Sequence, residues 1–138
     1  VLRLTDSRPS FLSTPLPLEE FIMSSIHQTS QSTFKQDVLQ SPVPILIDFY
    51  ADWCGPCRML APTLEQLSTE FAGRLQIVKV NVEAEPELAG RFQVTSIPTL
   101  AFVVGGKLVA QVEGMQSEPV LRRTLTRLME ATSHRQAS

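Results

Sequence analysis

The chain has 138 residues, enough for one domain that buries a core of its own without cross-links. With 43% hydrophobic and 19% charged residues it has the composition of an ordinary globular protein, and a formal charge of −2 lies too near neutrality for a surface built to hold nucleic acid or anionic membrane. No run of about 18 apolar residues exists, so no transmembrane helix is expected, and no internal repeat is visible.

Residues 1–22 read differently from the rest. They carry Pro9, Pro15 and Pro17 with scattered Phe11, Leu12 and Phe21, and no sustained period of either kind. A secretory signal needs an unbroken apolar core of about 7 to 15 residues, which is missing, and a transit peptide should be poor in acids, whereas Asp6, Glu19 and Glu20 are present. The segment is set apart as an extension of unknown role: a tag, upstream sequence or a flexible arm whose apolar residues could dock on a groove. Met23 opens the domain proper, expected over 23–131, and residues 132–138 read as a loose polar tail.

Within the domain a weak strand signal surrounds Ile26. Ser30 or Ser32 is placed to cap a short helix with Phe34, Val38 and Leu39 on its apolar face, ended by Pro42 and Pro44. The run Ile45-Leu46-Ile47-Asp48-Phe49-Tyr50 is continuous and apolar except for one carboxylate, the pattern of a strand buried on both faces. A helix then begins near Pro56 and carries Leu60, Leu64, Leu67 and Phe71 at spacings of 4, 3 and 4, with Pro62 expected to kink it and Gly73 to end it. Residues 75–82 form a second buried strand, and Pro86 opens a short helix containing Leu88, Ala89 and Phe92. A strand over 97–104 begins with a proline, Gly105-Gly106 marks a hairpin, and residues 107–113 return as its partner, closed by Gly114. The last helix is capped by Ser117, with Pro119 in its first turn, Leu121, Leu125 and Leu128 facing inward and Arg122, Arg123 and Arg127 facing water. Strands alternating with helices in this order describe an α/β sandwich with a mixed central sheet.

Both cysteines lie in Trp53-Cys54-Gly55-Pro56-Cys57, where the apolar strand gives way to the helix. A thiol at a helix N-terminus faces the positive end of the macrodipole and unpaired backbone N–H groups, which favour the nucleophilic thiolate. Three residues on along a helix, the second thiol is within reach of disulfide formation after a small rotamer change. Cys54, ahead of the first turn, is expected to be exposed and to attack; Cys57, against the body, is expected to resolve the mixed disulfide. Two other readings stand beside this: a structural disulfide, whose short loop stabilises little, and half of a zinc site, for which only His27 and His134 could add ligands. Asp48, six residues before Cys54 in an apolar strand, lacks water there, which raises its pKa and equips it to move a proton near neutrality; the alternative is a structural aspartate satisfied by backbone donors.

The segment Asp48-Phe49-Tyr50-Ala51-Asp52-Trp53-Cys54-Gly55-Pro56-Cys57 resembles the active-site segment of the thioredoxins, and the resemblance extends over roughly residues 26–131. It implies the thioredoxin fold, a mixed sheet of about five strands flanked by about four helices. It also implies a protein-disulfide reductase, an electron carrier that acts on target disulfides and is reset by a thioredoxin reductase, NADPH- or ferredoxin-linked. No metal or organic cofactor beyond the Cys54–Cys57 pair is implied, nor any nucleic-acid or membrane partner; a monomer in the cytoplasm is expected, with the plastid stroma as the alternative. By the same resemblance Lys79 approaches Asp48 and modulates it, with a lysine snorkelling to the sheet edge as the other reading. Pro98 corresponds to a cis proline that exposes the backbone of Ile97 beside Cys54, and Trp53, Gly55, Pro56, Ile97, Pro98 and Gly114 form a flat apolar surface for substrate. Tyr50 departs from the tryptophan, and Ser96 from the glycine, that many members carry. Relatives that act as oxidases or isomerases usually have a histidine between the cysteines; Gly55-Pro56 argues for a reductant. An oxidase or isomerase, and a binding module in which the thiols are incidental, remain the rival functions.

Overall fold

A computed structural model of the chain describes residues 26–137, with side chains through Ser133; the extension over 1–22 and Met23 lie outside the described residues. Five strands form one sheet: β1 (Ile26–Gln28), β2 (Ile45–Tyr50), β3 (Gln76–Asn81), β4 (Thr99–Val104) and β5 (Lys107–Glu113), in the order β1-β3-β2-β4-β5. The first three run parallel, and β4 and β5 are antiparallel additions, so the sheet is mixed as expected. Three α-helices, α1 (Gly55–Glu70), α2 (Pro86–Arg91) and α3 (Glu118–Ala137), join a π-helical turn over Lys35–Leu39.

Side-chain alternation along the strands divides the core. Ile45, Ile47 and Phe49 of β2 face one side with Val78, Val80, Ala101 and Val103, covered by Phe34 and Val38 of the turn and Leu88 of α2. There the Phe92 ring meets Phe34 edge-on at 5.8 Å and Phe49 at 5.3 Å. Leu46 faces the opposite side with Ile77, Leu100 and Phe102, beneath Leu60, Leu64 and Leu67 of α1 and Leu121 and Leu125 of α3. The same parity puts Asp48, Tyr50 and Lys79 on this second face.

Several local expectations give way to competing forces. Ser30 and Ser32 cap nothing: their hydroxyls bond each other at 3.0 Å, Ser30 also bonds Thr33 at 3.1 Å, and Phe34 occupies the cap position. The following turn is π rather than α, with the Gln40 amide donating to the Lys35 carbonyl at 2.9 Å. α1 holds Pro62 in its interior, as expected, but ends at Phe71, before Gly73, which adopts φ +83° in the turn beyond. Arg122, expected to face water, instead pairs with Glu70 of α1 and Glu118 of its own helix. Neither glycine nor proline interrupts the sequence after Pro119, and α3 runs to Ala137, burying Thr132, where a loose tail was expected from about residue 132.

The β4–β5 turn also rests on the π-helical turn. Gly105 and Gly106 adopt φ +58° and +81°, and a Cβ on Gly106 would stand 3.2 Å from the Leu39 carbonyl oxygen, whereas one on Gly105 would meet nothing within 4 Å. Gly105→Ala is therefore expected to cost about 1 kcal/mol of left-handed backbone strain, and Gly106→Ala more, because backbone must also shift; urea midpoints compared at equal m-value check the order.

Candidate redox site

Between the end of β2 and the start of α1 lie only Ala51, Asp52, Trp53 and Cys54. Cys54 is the N-cap of α1, extended at φ −83°, and its Sγ accepts the Cys57 amide at 3.2 Å. Pro56 occupies the first turn, where its missing N–H is no loss. The Cys54 carbonyl accepts from the Arg58 amide at 3.2 Å, and the Cys54 amide donates to Ala51 at 3.1 Å. Cys54 and Cys57 form a disulfide across a Cα separation of 5.3 Å, inside the range an unstrained bridge requires.

The expected exposure of Cys54 is corrected. It is 3% accessible and Cys57 6%, so solvent contact does not separate them. In the bonded pair each sulfur turns toward the other, and the two pack with Ala51 against Tyr50, Val82 and Ile97. Position on the helix does separate them: Cys54 holds the cap and receives a backbone N–H, while Cys57 lies inside the first turn and lines a cavity of about 150 Å³ with Tyr50, Arg58, Ala61 and Lys79.

Trp53 is 65% exposed, and its indole N–H donates to Glu83 at 2.6 Å. Pro56 is exposed, Gly55, Ile97 and Gly114 are half-buried, and Pro98 is buried, so Pro98 adds little to the surface expected of it. The Ile97–Pro98 peptide is cis. Its loop is tied down by the Pro98 carbonyl, which accepts from the Gly114 amide at 2.8 Å, and by Thr99 Oγ1, which donates to the Ser96 carbonyl at 2.6 Å. No backbone hydrogen bond to another described residue engages Ile97.

Asp48 is buried, and its Oδ1 has no hydrogen-bond partner among the described residues. It lines a second cavity of about 240 Å³ with Leu64, Glu65, Ser68 and Lys79, which shares Ala61 and Lys79 with the cavity at Cys57. Both spaces exceed one water's share of liquid volume, about 30 Å³, and have polar walls. Loss of water pushes the Asp48 pKa from 3.8 up to about 6, partly offset by the Lys79 charge. Lys79 is the register partner of Asp48, yet no ion pair joins them among the described residues; its Nζ lies 4.4 Å over the Tyr50 ring. Burial, then the Asp52 carboxylate, raises the Tyr50 phenol.

Glu83, which holds Trp53, and Gln28, whose amide donates to the Tyr50 hydroxyl, were not singled out from the sequence. Glu83 lies thirty residues from its partner and Gln28 twenty-two, so only the strand pairing brings them in. Among the described residues no group of three or more His, Cys, Asp or Glu could hold a metal ion, and no helix is long and apolar enough to cross a membrane.

A redox-active cysteine pair at a helix N-cap, beside a cis-proline loop and above a buried carboxyl, defines a thiol–disulfide oxidoreductase. The thioredoxin family model matches residues 25–127. Thioredoxin 1 of a Nostoc species is 45% identical over 103 residues, covering 75% of this chain and 96% of that protein. Thioredoxin of a Synechocystis species is 41% identical over 107 residues, covering 78% and 100%. A bifunctional thioredoxin reductase/thioredoxin of Mycobacterium leprae is 41% identical over 99 residues, 72% of this chain and 22% of the fusion. The chain belongs to the thioredoxin family, and it is a thiol–disulfide reductase with the thioredoxin fold.

The displaced Asp48 pKa ties stability to pH. Below about pH 4 the carboxyl is neutral folded or unfolded; as pH rises through about 6 the unfolded chain has already ionised it, and the folded state loses what the neutral form contributed. Asp48→Asn removes that loss. The variant is expected to gain about 3 kcal/mol at pH 8 and almost nothing at pH 3, read from urea unfolding at the two pH values.

Proposed function

We propose that Cys54 is the attacking thiolate and Cys57 the resolving thiol in the reduction of protein disulfides, with Asp48 as acceptor of the Cys57 proton. The cap position of Cys54 supports the first assignment, since the N–H that meets its sulfur favours the anion. In the dithiol state the Cys54 thiolate attacks one sulfur of a target disulfide, forming a mixed disulfide and releasing the other sulfur as a thiolate. Cys57 then gives its proton through water to Asp48 and attacks the Cys54 sulfur, closing the internal disulfide and releasing the second target sulfur as a thiolate, which takes its proton from water. Two electrons pass to the target. The single observation that carries this reading is the buried Asp48 Oδ1, which no described residue meets with a hydrogen bond, beside a cavity whose walls adjoin the one at Cys57.

Lys79 modulates the carboxyl by its charge. Trp53, Gly55, Pro56, Ile97 and Gly114 form the docking surface, Trp53 and Pro56 by exposed apolar area and Ile97 by backbone groups that an extended target segment can pair, while the buried Pro98 shapes the loop behind it. The oxidised pair is reset by a separate thioredoxin reductase, NADPH- or ferredoxin-linked. The Mycobacterium leprae relative, in which both activities share one chain, supports such a partner. Both reacting sulfurs come from the start of one helix, which supports action as a monomer; the reductant's Gly-Pro dipeptide supports a reducing compartment, the cytoplasm or alternatively the plastid stroma.

Cys54→Ser is expected to lose all acceleration of insulin reduction by dithiothreitol over the uncatalysed rate, and Cys57→Ser to accumulate a mixed disulfide with the target, visible on a non-reducing gel in the absence of added thiol. Trapping through Cys57 instead would reverse the assignment. Asp48→Asn should slow turnover near pH 7 and flatten its pH dependence; an unchanged profile removes the proton role. Reduction supported by NADPH and a thioredoxin reductase, compared with a ferredoxin-linked donor, identifies the reset.

A further inference from the structure

Lys79 has a carboxylate across the strand and does not close on it. It faces Asp48 in the β2–β3 register, on the same side of the sheet, and its flexible stem lets the ammonium travel. Instead of pairing with Asp48, Nζ lies over the ring of Tyr50, the next residue of β2 on that face. An aromatic face attracts a cation through its quadrupole, more strongly where water is scarce. The far end of the ring is fixed as well: Gln28 of β1 donates to the Tyr50 hydroxyl, and Gln28 is the register partner of Lys79. Three adjacent strands thus contribute one side chain each to a cluster beside both cavities, and Lys79 is in the wall of each.

We propose that Tyr50 is a positioning residue, its ring anchored by Gln28 and seating the Lys79 ammonium away from Asp48, so that the two never close into a contact ion pair. A contact pair would make the carboxylate a weaker base and a poorer acceptor for the Cys57 proton. That consequence rests on the proton role given above to Asp48; the placement itself does not. The other charged or titratable group facing Asp48 is Glu65 of α1, while Asp52 and Arg58 border the cavity at Cys57. Ile26 of β1 and Leu100 of β4, which also neighbour it, are uncharged.

The test follows the Asp48 carboxyl by ¹³C NMR titration in the oxidised protein, where neither cysteine titrates. Tyr50→Leu is expected to lower the Asp48 titration midpoint by about one pH unit, as an opposite charge moving into contact does. Tyr50→Phe, which keeps the ring and loses its anchor, should give a smaller shift of the same sign. In a Lys79→Met background Tyr50→Leu should give none. No shift or an upward one in Tyr50→Leu overturns the proposal, as does an equal shift without Lys79 or a Tyr50→Phe shift as large as that of Tyr50→Leu. If the midpoints move as expected while the pH profile of insulin reduction stays fixed, the placement stands and the proton role of Asp48 falls.

Discussion

Strand β2 is covered on both faces, and its side chains alternate between two covered layers. On one side this gives Ile45, Ile47 and Phe49 to a purely apolar cluster. On the other it gives Leu46 to the core and Asp48 to a pocket under α1, where the carboxyl must exist without a hydrogen bond to Oδ1 from the described residues. A one-residue slip of register would exchange the two sets, placing three large apolar side chains where the polar chemistry now lies. Because only four residues separate β2 from α1, the strand that buries the carboxyl also fixes the cap that carries Cys54.

The cost of that carboxyl is accepted at one place. Desolvation would be relieved by an ion pair with Lys79, and the register offers one, yet the ammonium rests on Tyr50. The burial of the carboxyl is left without the contact pair that would lessen its cost. Elsewhere on the same face polar groups are conventionally paired, as where Arg122 joins Glu70 and Glu118 and so ties α3 to the end of α1.

The two-faced burial of β2, the leucine spacing of α1 and the Gly105-Gly106 turn follow local pattern and backbone preferences, and all three were legible in the sequence. So were the cysteine spacing and the odd carboxylate at Asp48. What stayed hidden depends on pairing across the sheet: Gln28 on Tyr50 and Glu83 on Trp53 join residues that share no window of sequence. The exposure of Cys54 was misread because position in the chain does not say which way a sulfur turns once it is bonded. Local competition misled the reading of Ser30 and Ser32, whose hydroxyls prefer one another and Thr33 to the helix end. The length of α3 was misread from polar composition, though nothing after Pro119 breaks a helix.

The closeness of the two cysteine backbones has a bearing on how the molecule signals its state. With Cα atoms 5.3 Å apart inside one helical turn, gaining or losing two electrons asks for side-chain rotation and little travel of the chain. The difference between the full carrier and the empty one is thereby concentrated at the two sulfurs, within reach of anything that touches the start of that helix.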